Sequence, residues 1–117
     1  GVEFAGSLSE LTHHVLNKDY KKLGVEPRII LVESSDHILT PFPRKLRHYA
    51  VRRLEKMHVK VMLNQRVTGA TPDRVMLKDG SEIPAHTLFW GAGVRAAPLS
   101  DNLDVEKSKG GRIPVQT

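Results

Sequence analysis

Gly1-Val-Glu-Phe-Ala-Gly-Ser-Leu-Ser-Glu-Leu11 is the stretch whose reading decides the fold. A glycine stands first, and a helical pattern begins immediately behind it. Phe4, Leu8, Leu11 and Val15 recur at spacings of 4, 3 and 4, one apolar stripe of a helix. Ala5 and Gly6 keep the first turn thin, which suits a helix packed closely on a strand. A glycine at the mouth of a helix is half of a familiar arrangement. In G-x-G-x-x-G a strand runs into a tight turn, and the last glycine opens a helix whose free N–H groups face a pyrophosphate. No strand precedes Gly1 here, so the expectation is a fragment cut at its own phosphate-binding turn.

Outward from that helix, Arg28-Ile-Ile-Leu-Val-Glu33 is a short apolar run closed by a carboxylate, the pattern of a strand buried on both faces of a parallel sheet. Ser34 to Pro43, with two prolines, reads as a loop. A second helix is expected from about Arg44 to Met57, with Leu46, Tyr49, Ala50, Leu54 and Met57 inward and Lys45, Arg47, His48 and Arg52 outward. Val59 to Leu63 is a second apolar strand. Then come three short runs, Arg66–Ala70, Arg74–Lys78 and Glu82–Pro84, the last two flanking Asp79-Gly80. Asp-Gly between alternating runs signals a hairpin, because a tight primed turn needs positive φ. Thr87-Leu-Phe-Trp90 reads as a further buried strand, ending in Gly91-Ala-Gly-Val94. The tail around Lys107–Gly111 is polar and expected to be mobile, and Ile113–Gln116 looks like the start of another element. Strands alternating with helices indicate an α/β fold, Rossmann-like and mainly parallel, with a three-stranded antiparallel meander and its first strand missing. Residues 1–109 are expected to form the domain, and 110–117 a linker.

Composition bounds the function. A chain of 117 residues holds one domain with a modest core. It has no Cys, which excludes disulfides, a thiolate zinc site and a redox dithiol within this stretch. No run approaches the roughly 18 apolar residues that span a bilayer. The net charge of +5 suits anionic partners without choosing among them.

Three separated features converge on one ligand. Gly1 and the helix start offer N–H groups and a partial positive charge to a pyrophosphate. Glu33 closes a strand where a carboxylate can accept hydrogen bonds from both adenosine ribose hydroxyls, and it favours NAD(H) over NADP(H). Gly91 and Gly93 lack side chains, so a dinucleotide could lie across that sheet edge. Glu33 falls later than the roughly 20 positions the fingerprint leads one to expect, and the excess lies in Asn17 to Pro27.

Together, Gly1–Leu11, Ile30-Leu-Val-Glu33 and Leu88-Phe-Trp-Gly-Ala-Gly-Val-Arg95 resemble type II NADH:quinone oxidoreductases. These are flavoenzymes related to the pyridine nucleotide-disulfide reductases. The resemblance covers nearly the whole chain, corresponds to the NADH-binding domain and includes the long connection. It implies that Gly1 is the last fingerprint glycine, with Val2 beside it. Glu3 matches a carboxylate near the nicotinamide, the candidate catalytic residue, and Glu33 matches the ribose-binding acid. Ala92, Gly93 and Val94 match the strand end against the nicotinamide half, and Gly91 stands where relatives often carry Ala. Hydride would pass from NADH to FAD, held mainly by a domain outside this chain, and electrons from the flavin to a quinone. The longer protein would be cytoplasmic, peripheral on the inner membrane, attached through a C-terminal region that this chain does not reach.

Other readings are weaker. Adjacent His13 and His14 point to different helix faces, so no metal site is expected. The helix bearing Arg44, Lys45, Arg47, Arg52 and Arg53 lacks interleaved aromatics and helix-turn-helix spacing, so no nucleic acid is expected. It reads as a solvated face without a membrane role. Glu3 also has a structural role open to it, since first-turn carboxylates stabilise helix N-termini. The alternative to a working site is an inactive module. With a central strand missing, exposed edges at Ile29–Val32 and Leu88–Trp90 would drive dimerisation or strand swapping, or recruit Ile113–Gln116 as a substitute strand.

Overall fold

Two β-branched runs form the parallel pair of the sheet in the computed structural model, which describes residues 1–23, 27–93, 95–108 and 110–115. In chain order the elements are helix α1 (Val2–Glu10), a π-helix (Leu11–Leu16), a short α2 (Asn17–Asp19) and a 3₁₀ turn (Lys21–Leu23). Strand β1 (Ile29–Val32), helix α3 (Arg44–Lys56) and strand β2 (Val59–Met62) follow. Strands β3 (Val67–Ala70), β4 (Arg74–Leu77) and β5 (Glu82–Pro84) precede a 3₁₀ turn at Pro98–Asn102. β1 and β2 run parallel, Ile29 opposite Val59 through Val32 opposite Met62. Two further bonds carry the pairing past the strand ends: the Glu33 N–H donates to the Met62 carbonyl at 2.8 Å and the Gln65 N–H to the Glu33 carbonyl at 3.0 Å.

One core serves both strands. Ala5 of α1, Ile29, Ile38 of the loop, Leu54 of α3 and Val59 are buried together, with Val2, Leu31, Ala50, Val51 and Val61 packed around them. Of the expected stripe, only Leu8 lies against the core, half-buried. The face α1 turns to the sheet is otherwise a different one. Its buried residues are Ala5, Ser9 and, one turn on, Thr12, whereas Phe4, Leu11 and Val15 are 46%, 47% and 47% exposed. Close approach explains the inversion: only small side chains fit between a helix and a strand in contact, so the large ones move to the flanks. The two buried hydroxyls are both hydrogen-bonded. Ser9 Oγ donates to the Met57 carbonyl at the end of α3, and Thr12 Oγ1 to the Leu8 carbonyl at 2.9 Å. Ser9→Ala would leave that carbonyl without its partner. The expected loss is about 1–2 kcal/mol, read as a lower urea midpoint at unchanged m.

α3 keeps Ala50, Leu54 and Met57 inward as expected, but not Leu46 and Tyr49. Arg47, Ala50, Val51 and Leu54 share one side at helical spacing and are buried or half-buried, while Leu46 and Tyr49 are 50% and 62% exposed. Arg47, expected outside, lies half-buried because it secures the preceding loop. Its Nε donates to the Phe42 carbonyl at 2.6 Å and its Nη2 to the Thr40 carbonyl at 3.0 Å. The chain leaves α3 through His58, at φ 61 in the left-handed region.

The meander forms as expected. β3, β4 and β5 make an antiparallel sheet, with Val67 opposite Leu77 and Val75 opposite Ile83. Gly80 takes φ 84 in the turn, and the Asp79 carboxylate accepts the Ser81 N–H at 2.9 Å. Val75 and Leu77 are buried. The expectation of a mainly parallel sheet is corrected: among the described residues the parallel sheet has two strands and the antiparallel sheet three.

The expected strand at Thr87–Trp90 is absent. These residues are irregular, and Leu88, Phe89 and Trp90 are 47%, 59% and 67% exposed. A strand exists only through its ladder, and no described strand pairs with this one. Phe89 instead lays its ring 4.5 Å from that of Phe4. Further on, Ser108 bridges Arg112 around Gly110 and Gly111, at φ 82 and 74. Ile113–Val115 forms no strand, and Gln116 lies outside the described residues. No helix of the described residues is long and apolar enough to cross a membrane.

Candidate functional site

Parallel strands present their carboxyl ends along one edge, where open α/β sheets bind ligands. Glu33 occupies that edge, one residue past β1 and half-buried. Its Oε1 accepts the Ser35 N–H at 2.8 Å and the Ser34 hydroxyl at 3.3 Å. The Ser35 N–H is the main reason the carboxyl is held below its ordinary pKa, with partial burial opposing it. The group is therefore an anion at neutral pH. A carboxylate has about four acceptor positions, so it retains capacity for a ligand's hydroxyls.

A second corner is built from backbone. Gly1 caps α1, its carbonyl accepting the Ala5 N–H at 2.9 Å. A Cβ built on Gly1 would lie 3.6 Å from Leu31 Cδ1, and one on Gly91 would lie 3.5 Å from the Gly1 nitrogen. The helix start, strand β1 and the glycine segment thus meet at Gly1. Leu31 and Glu33, two residues apart on an extended chain, face the same way roughly 7 Å apart. Of the candidate residues, Gly1, Val2, Glu3 and Gly91 are gathered at this corner, with Glu33 further along the same strand. Glu3 is exposed in the first turn of α1, and Val2 is half-buried against the core. Ala92 and Gly93 continue from Gly91 as exposed, irregular chain. Val94 lies outside the described residues.

The two glycines differ in what they require. At Gly91 an added Cβ would make ordinary van der Waals contact, so Gly91→Ala is expected to be accepted. Gly93 has open space but φ 80, which costs an L-residue about 1–2 kcal/mol. Gly93→Ala is therefore expected to rearrange the segment, moving the backbone NMR shifts of residues 89–93. Gly91→Ala should change only its immediate neighbours.

The sequence reading missed a polar depression beside Glu33, lined by Ser34, Asn64, Gln65, Arg66, Lys78 and Asp79. Its wall is tied to the Glu33 loop, because the Asn64 N–H donates to the Ser35 carbonyl at 2.9 Å. These residues come from separate loops and carry no sequence signature; only Asn64, at φ 55, hints at a special turn. His13 stacks on His58 with ring centroids 5.1 Å apart. No group of three or more potential metal ligands occurs among the described residues.

The mitochondrial internal alternative NAD(P)H-ubiquinone oxidoreductase A1 of Arabidopsis thaliana is 36% identical over 98% of this chain and 22% of its own length. Two proteins of Mycobacterium tuberculosis named type II NADH:quinone oxidoreductase, Ndh and NdhA, are 32% and 36% identical over 98% and 99% of the chain. The chain spans about a quarter of the length of these relatives, between 22% and 27%. The sequence profile of one family matches residues 1–117 in full, and the chain belongs to that family, the pyridine nucleotide-disulphide oxidoreductases, with their Rossmann-like α/β fold.

Proposed function

We propose that residues 1–109 are the NADH-binding domain of a flavin-dependent NADH:quinone oxidoreductase, with 110–117 leading to the rest of the protein. The observation that carries this reading is the meeting of Gly1, Gly91 and the strand that ends in Glu33. In this reading the pyrophosphate lies at the α1 N-terminus, where unpaired N–H groups and the helix dipole favour an anion. Glu33 accepts the adenosine ribose hydroxyls. The nicotinamide half runs along Gly91, Ala92, Gly93 and Val94, with Glu3 beside it. Relatives named as oxidoreductases of NADH, or NAD(P)H, and quinone support the substrate pair. Bound FAD would supply the hydride acceptor, and no residue of this chain is assigned to it. The chain's own task is to hold and orient the dinucleotide.

A titration of the chain with NADH, followed by nicotinamide fluorescence, tests the assignment. Weak, saturable binding that ADP-ribose displaces is the expected outcome, since two fingerprint glycines lie outside this chain, which by itself is expected to be catalytically inactive. Absence of binding at millimolar NADH would overturn it for this chain. One observation favours a second reading, an inactive module that assembles through its edges. Among the described residues β1 pairs with β2 alone, and Leu88, Phe89 and Trp90 stand exposed. Light scattering that shows a dimer with no NADH affinity would select that reading.

A further inference from the structure

Just past β2 the chain turns at Asn64, whose φ of 55 lies in the left-handed region that few residues other than glycine adopt. The Asn64 N–H donates to the Ser35 carbonyl at 2.9 Å, and the next N–H, that of Gln65, to the Glu33 carbonyl at 3.0 Å. On an extended chain successive N–H groups point to opposite sides. Both reach the same segment here only because the backbone twists between them, and the φ and ψ of Asn64 are the rotations that lie between. The turn is pinned from its far side as well, where the Lys78 N–H donates to the Arg66 carbonyl at 2.8 Å. Ser35, held through its carbonyl, donates its own N–H to Glu33 Oε1 at 2.8 Å. The Asn64 side chain is exposed, so what the residue contributes is conformation. Asn accepts the left-handed region more readily than other side chains do.

We infer that Asn64 is a positioning residue for Glu33: its left-handed turn holds Ser35 against the carboxylate and so sets the direction of that carboxylate before a ligand arrives. The consequence for affinity rests on the ribose role proposed for Glu33, whereas the consequence for the carboxylate itself does not. A carboxylate aimed by a fixed N–H group loses less freedom on accepting two hydroxyls than one that swings on its own side chain. The same N–H favours the charged form, and it is the main reason the carboxyl lies below its ordinary pKa. A β-branched residue at position 64 is driven out of the left-handed region. Its N–H then leaves the Ser35 carbonyl, Ser35 loses its anchor, and the carboxylate loses its main donor. Glycine keeps the turn without strain.

Carbon-detected NMR titration of the Glu33 carboxyl in the full chain tests it, with NADH affinity measured beside it. In the parent and in Asn64→Gly the carboxyl is expected to titrate below the ordinary glutamate value. In Asn64→Val it should return toward that value, and in Asn64→Ala lie between. Arg66, Lys78 and Asp79 around the depression, with Asp36 and His37 on the Glu33 loop, are the same in all these chains, so the change reports the Ser35 bond. NADH affinity should fall about tenfold in Asn64→Val and stay within about twofold in Asn64→Gly. Glycine also removes the amide, so retention there assigns the effect to the backbone. Should valine prevent folding, the alanine and glycine pair decides alone. A Glu33 titration that neither Asn64→Val nor Asn64→Ala moves would overturn the inference, as would a glycine variant as impaired as the valine one. If the titration moves while Glu33→Ala binds NADH like the parent, the positioning stands and only the ribose role falls.

Discussion

Leu54→Ala is expected to lower the stability of this chain by about 3 kcal/mol, within the usual range of roughly 2–5 kcal/mol for a buried leucine. Leu54 is 4% exposed and shares the core with Ala5, Ile29, Ile38 and Val59. It is the buried side chain of α3 in the core that also holds Ile29, Val59 and Ile38. A domain of this size is stable by about 5–15 kcal/mol, which makes the loss a large fraction of the total. A urea melt at unchanged m checks the magnitude. Tyr49→Ala on the same helix, at 62% exposure, is the control and should cost under about 0.5 kcal/mol. Equal losses at the two positions would contradict the placement of the core.

The second large effect belongs to ligand affinity. Glu33→Ala is expected to weaken NADH binding by roughly 10- to 100-fold, because a hydrogen bond to a charged group is worth about 1.5–3 kcal/mol. Stability should change little, since the carboxylate is only half-buried and bonded to loop groups at its own strand end. Isothermal titration of both forms separates the two quantities. The proposed ribose role fails if the variant binds NADH as tightly as the parent.

Much of this architecture could be read from residues alone. Ile29–Val32 and Val59–Met62 were legible because β-branched runs bounded by polar residues have little alternative, and the hairpin because its turn needs a residue at positive φ, which Gly80 supplies. Thr87–Trp90 was not, because a strand is defined by a partner and composition cannot supply one. The inward side of α1 was misjudged for a related reason. Apolar periodicity finds the bulkiest stripe, but a helix pressed against a sheet selects the smallest, here Ala5 and Ser9. Similarly, Leu46 and Tyr49 counted as core by hydrophobicity and lost that place to Arg47, whose backbone bonds no periodicity encodes. At the candidate site, Gly91 meets Gly1 although the strand expected to carry it there is absent, and the depression around Asn64 and Lys78 depends on loop conformation.

The wide turn at Leu11–Leu16 has a consequence for how the first helix comes apart. Looser coiling there makes the six residues a fuse, since i→i+5 bonding is a rare and costly form of helix. Amide protons beyond Leu11 should exchange with solvent sooner than those of Ala5 to Ser9. The far end can then unravel and rewind while the turn beside Gly1 keeps its shape.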